Sequence, residues 1–138
     1  IRMRLYATAD YLADRGIPTT LADLRKHRLI CQQAGAAQVS AGAVLVNELM
    51  AQEPASTLKV NNYFGVLQGV LNRLGIGVLP DYLAPDVPQL VRVLPEVESD
   101  EVPVFLAYPE EMRHSKRVGA FRDFVMDEIV AHRRNAQM

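Results

Sequence analysis

Polar and apolar residues alternate from Arg2 to Leu5 and the run closes on Tyr6 and Ala7, which predicts a strand over 2–7. Thr8 is placed to cap a helix over Ala9–Arg15, and Gly16 followed by Pro18 stops it. Thr20 caps a second short helix from Leu21 to His27, with Asp23 as an acidic variant of the capping box. Arg28 to Gln32 reads as a short apolar strand. The stretch from Gln33 to Ser56 is the least legible, because Ala34, Gly35, Ala36, Ala37 and Gly42 carry little side-chain information. The β-branched Val44 and Val46 favour a strand over Ala43–Val46, and Pro54 marks a turn.

From Thr57 the pattern sharpens. Thr57–Val60 predicts a strand, and Asn61 or Asn62 caps a helix from Tyr63 to Leu74. Phe64, Leu67, Val70, Leu71 and Leu74 recur at spacings of three and four, and Gly75 ends the helix. Ile76–Leu79 is a buried strand, and Pro80 opens one helical turn through Leu83. Leu90–Leu94 is a strand, Pro95–Glu101 an acidic loop, and Val102–Tyr108 a strand ended by Pro109. Ser115 caps the last helix, Lys116 to about Arg133, whose apolar stripe is Val118, Phe121, Val125 and Ile129 with Phe124 alongside. Strands alternate with helices almost throughout, which predicts an α/β fold.

Composition narrows the function. The chain has 138 residues, room for one domain, and 49% of them are apolar, enough to fill a core. Its formal net charge of -1 argues against a sequence-independent grip on nucleic acid, which needs a basic stripe to release counterions. The one local basic run, Arg25-Lys26-His27-Arg28, reads as a helix end with cations near its carbonyls. Cys31 is the single cysteine and stands in an apolar run, so it reads as a small core residue. No membrane span or secretory leader is visible, which makes a cytoplasmic protein the expectation. The chain opens on Ile1 inside a strand and reads as part of something longer.

Catalytic chemistry is weakly represented. His27, His114 and His132 are far apart and have no metal-ligand spacing, so neither a metal nor a catalytic set is assigned. Gly75-Ile76-Gly77 fails as a dinucleotide loop: Pro80 holds the third glycine position, and the glycines follow a helix rather than precede one. No cofactor is implied. A binding feature does emerge where a strand gives way to a helix at Asn61 and Asn62. Free N–H groups at a helix start attract carboxylates, and the amides add donors and acceptors, although a plain N-cap accounts for the same residues. Gln32 ends another strand and is placed to face the same cleft.

The order of these motifs resembles a known family. Leu5-Tyr6-Ala7-Thr8-Ala9-Asp10-Tyr11-Leu12, then Gly16-Ile17-Pro18, then Asp23-Leu24 and His27, is similar to the crossing segment of LysR-type regulator sensor domains. Gly75-Ile76-Gly77-Val78-Leu79-Pro80 looks like their Gly-x-Gly-x-x-Pro segment, and Leu90–Leu94, Pro103–Tyr108 and the last helix also fit. The resemblance implies a periplasmic-binding-protein-like (type 2) sensor of two α/β subdomains with a small effector, a carboxylate among the candidates, in the cleft between them. It implies that residues 7 to about 102 form the second subdomain and that 103–138 return to the first. Most of that first subdomain, and the winged helix that reads DNA, would precede Ile1. Effector contacts are implied at Asn61, Asn62 and Tyr63, with Gln32 beside them. A homodimer is implied, with DNA contacted only through the winged helix and no membrane partner. Two other classes share the fold: a solute-binding protein of a transport system, against which the motifs weigh, and an enzyme such as an amino-acid-pathway dehydratase, which no residue set supports.

Overall fold

The computed structural model describes residues 1–33 and 40–137; Ala34, Gly35, Ala36 and Ala37, part of the least legible stretch, lie outside the described residues. The chain divides into two compact units, Ile1–Val102 and Pro103–Met138. The first holds strands β1 (Met3–Ala7), β2 (Arg28–Gln32), β3 (Ser56–Val60), β4 (Ile76–Pro80) and β5 (Val91–Glu98). Its helices are α1 (Ala9–Arg15), α2 (Ala41–Met50) and α3 (Tyr63–Leu71), with 3₁₀ turns at Leu21–Lys26 and Asp81–Asp86. The strands form one sheet in the order β3-β2-β4-β1-β5. β2 runs parallel to both β3 and β4, whereas β1 runs antiparallel to β4 and β5.

Local chemistry explains several boundaries. Thr8 Oγ1 accepts from Tyr11 N at 3.3 Å, and Gly16 closes α1 with φ 89°. Asp23 accepts from the backbone N–H groups of Thr19 and Thr20 at 2.9 and 3.1 Å, which fixes the entry to the first 3₁₀ turn. Alternation along β2 sends Leu29 and Cys31 to one face and Ile30 to the other. On the first face they meet Leu45 and Leu49 of α2; on the second Ile30 meets Val66 and Val70 of α3. Each such fully buried side chain is worth about 1.5–3 kcal/mol. Cys31 is wholly buried, and burial pushes its thiol up, so it packs as a small apolar residue.

Four elements differ from the sequence expectation. Ala43–Val46 is not a strand but lies inside α2, because Ser40 Oγ caps Ala43 N at 3.2 Å and Leu45 and Leu49 fall one turn apart on the core. The β-preference of Val44 and Val46 yields to that packing. The helix from Tyr63 stops at Leu71, not Leu74. Arg73 N donates to Val70 O and Leu74 N to Gly69 O, both at 3.0 Å, with Arg73 in the left-handed region at φ 61°. That is a Schellman closure with arginine in the usual glycine position. Pro95–Glu98 is not loop: β5 continues to Glu98 through a bulge, since Leu5 pairs Val93 while Arg4 pairs Glu98, and Leu94 takes φ 47° to make the turn. Finally, residues 102–108 form no strand. Pro103 offers no N–H, and no described strand pairs with the segment.

The second unit contains a 3₁₀ turn (Glu110–Met112) and the helix α4 (Lys116–Gln137). Ser115 Oγ accepts from Val118 N at 3.5 Å at its start. Val118 and Val125 are half-buried, but Phe121 and Phe124 are 58% and 62% exposed. Among the described residues no helix is long and apolar enough to cross a membrane.

Candidate functional site

The connections of two neighbouring parallel strands leave the sheet on opposite faces. β2 hands the chain to α2 on one face of the sheet, and β3, its neighbour, hands it to α3 on the other. Adjacent strands whose connections leave to opposite faces mark a switch point, and ligands of open α/β sheets settle at the carboxyl ends of such strands. Here those ends carry Gln32 and Asn61, because Gln32 pairs in register with Val60.

Gln32, Asn61, Asn62 and Tyr63 are therefore brought together. Gln32 Nε2 donates to Asn61 O at 3.2 Å, and Gln33 N donates to Val60 O at 2.7 Å. Asn62 Oδ1 caps α3 by accepting from Gly65 N at 2.7 Å, while its Nδ2 donates to Asn61 Oδ1 at 2.9 Å. The cap role read from sequence thus belongs to Asn62, and Asn61 braces it. Gln32 Oε1 and Asn61 Nδ2 keep an acceptor and a donor with no hydrogen-bond partner among the described residues. The amides carry no net charge, so what they offer a ligand is directional hydrogen bonding together with the N–H groups of the first turn of α3.

Tyr63 is half-buried and touches both core clusters. Burial pushes its phenol up and the nearby Tyr82 adds to the shift, so Tyr63 stays a neutral donor at physiological pH. Tyr82 follows the carboxyl end of β4 at the same sheet edge. Applying the strand-end rule to β4 as well as β2 and β3 identifies it. Phe64, 69% exposed on the first turn of α3, adds an apolar surface beside Asn62. Among the described residues no cluster of His, Cys, Asp or Glu could hold a metal ion.

The fold is shared with solved regulatory proteins. The regulatory domain of CrgA, a LysR-type transcriptional regulator from Neisseria meningitidis, superposes with a TM-score of 0.73 at 24% identity, over 92% of this chain and 64% of that one. The longer CrgA structure gives 0.70 at 22% identity, over 92% of this chain and 44% of that one. The regulatory domain of AphB from Vibrio vulnificus, treated with cumene hydroperoxide, gives 0.50 at 20% identity, over 81% and 60%. The chain therefore spans less than two thirds of the regulators it resembles. No curated protein matches it. The sequence profile of the LysR substrate binding domain matches residues 1–129, nearly the whole chain, and the mixed α/β sheet is of the periplasmic-binding-protein-like type 2 kind, so this chain belongs to the LysR substrate-binding domain family.

Proposed function

We propose that the chain is the effector-sensing part of a LysR-type transcriptional regulator and that a small effector binds at the carboxyl ends of β2 and β3. The observation that supports this reading is the switch point, where Gln32 and Asn61 are hydrogen-bonded at the ends of β2 and β3 and Asn61 and Asn62 are joined through their amides. The free N–H groups in the first turn of α3 and the unpaired Asn61 Nδ2 donor suit a carboxylate, while Gln32 Oε1 suits a donor group elsewhere on the ligand. Residues 7–102 act as the second subdomain and 103–138 return to the first. The role is binding rather than catalysis, in the cytoplasm. Effector occupancy biases the subdomain arrangement, and thence the DNA-binding heads, which belong to a separate winged helix of the regulator.

The test begins with a thermal-shift screen of small carboxylates and aromatic compounds on the full-length regulator. For a compound that binds, Asn62→Ala is expected to weaken the dose-response by about tenfold or more, beyond the roughly 0.5–2 kcal/mol of stability that a lost cap costs. A lower melting temperature with an unchanged dose-response leaves Asn62 as a cap only and removes the switch point from consideration.

Self-association belongs to the same reading. On the stripe of α4, Phe121, Phe124 and Ile129 are 58%, 62% and 40% exposed, with Val125 half-buried between them. Each forfeits roughly 1.5–3 kcal/mol of burial when left in water, and soluble monomers seldom leave such a patch open. Sedimentation at micromolar concentration is expected to show a dimer that Phe121→Asp dissolves. A monomer at that concentration rules it out.

A further inference from the structure

Arg2, Arg4 and Arg92 converge on one carboxylate. Arg4 Nε donates to Glu98 Oε2 at 3.0 Å, Arg92 Nη2 reaches the same oxygen at 3.1 Å, and Arg2 Nε stands 3.9 Å from Oε1. The strand register puts them there. Arg2, Arg4 and Tyr6 share one face of β1, Tyr6 pairs Arg92, and the bulge in β5 carries Glu98 round to pair Arg4. Tyr6 packs with Val66 and Val70, so this is the α3 face of the sheet.

A structural role explains part of the cluster. Arg92 Nη2 also donates to Pro95 O, which clips the bulge, and Arg4 meets its cross-strand partner Glu98. Arg2 Nη1 donates to Ser99 O at 3.0 Å. These bonds leave most of the N–H donors of three guanidinium groups unspent, since each carries five. Three guanidinium groups face the one carboxylate of Glu98. The arginine side chains are 40%, 27% and 33% exposed, open to a ligand yet partly withdrawn from water. Glu98 itself stays ionised: its slight burial works against the charge, but the Arg4 bond and the charges of Arg4, Arg2 and Arg92 hold its carboxyl below the usual range.

Position adds to the argument. Met3 pairs Pro80, and Asp81 N donates to Arg2 O at 2.9 Å, so the start of β1 lies at the same sheet edge as the carboxyl ends of β2, β3 and β4. Arg2 is two strand spacings from β2, on the order of 10 Å.

We propose that Arg2, Arg4 and Arg92 form an anion site that takes a carboxylate or phosphate group of a small ligand beside Glu98. Guanidinium forks match both groups bidentately, and a second anion offsets the repulsion among three clustered cations. The site stands independently of the switch point at Asn61 and Asn62.

The experiment is an NMR titration of the arginine Nε–Hε signals of this chain with inorganic phosphate and, separately, succinate, against sodium chloride at matched ionic strength. Saturable shifts of Arg2, Arg4 and Arg92 are expected with one or both anions, and the anion that acts names the ligand class. Glu98→Gln removes the resident carboxylate and is expected to tighten binding about tenfold; Arg2→Gln, which leaves the bulge clip intact, is expected to weaken it by a similar factor. Shifts no larger than those with chloride overturn the proposal. So does a Glu98→Gln protein that is folded but binds no more tightly, because a merely structural cluster would give that result.

Discussion

Gly75→Ala is expected to destabilise the Ile1–Val102 unit by about 3 kcal/mol, at the upper end of what overpacking costs. A methyl group at Gly75 would fall 2.4 Å from the carbonyl oxygen of Arg28 and 3.0 Å from its Cβ. The first contact is with backbone, so no side-chain rotation relieves it. Arg28 begins β2, a central strand, and Leu29 pairs Ile76, the residue after Gly75. Any retreat therefore shifts the β2–β4 pairing and the buried Leu29 and Ile76 with it. A denaturant titration should show a lower midpoint with an unchanged slope. Gly119→Ala in α4 is the matched control, because nothing lies within 4 Å of its added methyl, and it should stabilise the helix by roughly 0.5–1 kcal/mol. A Gly75→Ala protein with the wild-type midpoint would mean that β4 can move away from β2 freely.

Gly75 also shows how far the sequence could be read. The glycine is visible, and a helix stop is its commonest meaning. Its actual requirement is the Arg28 carbonyl, a contact between strands that no local pattern encodes, while the helix is closed earlier by Arg73 in a left-handed conformation. Elements with chemical punctuation were legible: Thr8 and Gly16 bound α1, and Asn62 begins α3. The α2 helix was not, because its valines favour strand and only the packing of Leu45 and Leu49 decides against it. Residues 102–108 erred the other way, with strand-like side chains and no neighbouring strand to pair with among the described residues. For the switch point, strand ends can be placed from sequence, so Gln32, Asn61 and Asn62 could be named. Their meeting depends on β3 lying next to β2 rather than beside β4, which is topology. The arginine cluster was beyond reach, because Glu98 reaches Arg4 only through a bulge that reads as an acidic loop.

Acid is expected to weaken this fold through His27. Tyr11 and His27 are 6% and 4% exposed, and the Tyr11 hydroxyl lies 2.7 Å from His27 Nδ1. A neutral His27 that accepts the hydroxyl proton at Nδ1 carries its own hydrogen on Nε2. Protonation puts a second donor on Nδ1 and leaves the buried hydroxyl proton without its acceptor. Burial lowers the His27 pKa; Asp23 opposes that shift, and Arg15 and Lys26 add to it. With the folded value below the unfolded one, near 6.5, the unfolded state binds more protons as pH falls. The contribution is thus fully present above about pH 6.5 and is lost below it, at no more than about 1.4 kcal/mol per pH unit for one proton. Asp23 and Glu98 are held below the usual carboxylate range, so what they contribute is lost only at lower pH, near and below about 4. Chemical denaturation should accordingly show lower stability at pH 5 than at pH 7. Tyr11→Phe at pH 7 leaves the buried Nδ1 without its partner and is expected to cost about 1–3 kcal/mol. Nitrogen-15 spectra of His27 should show the Nε2–H tautomer at pH 7 and a midpoint below 6.5. A midpoint above that value, or equal stability at pH 5 and 7, would refute the assignment of the acid-sensitive proton to this pair.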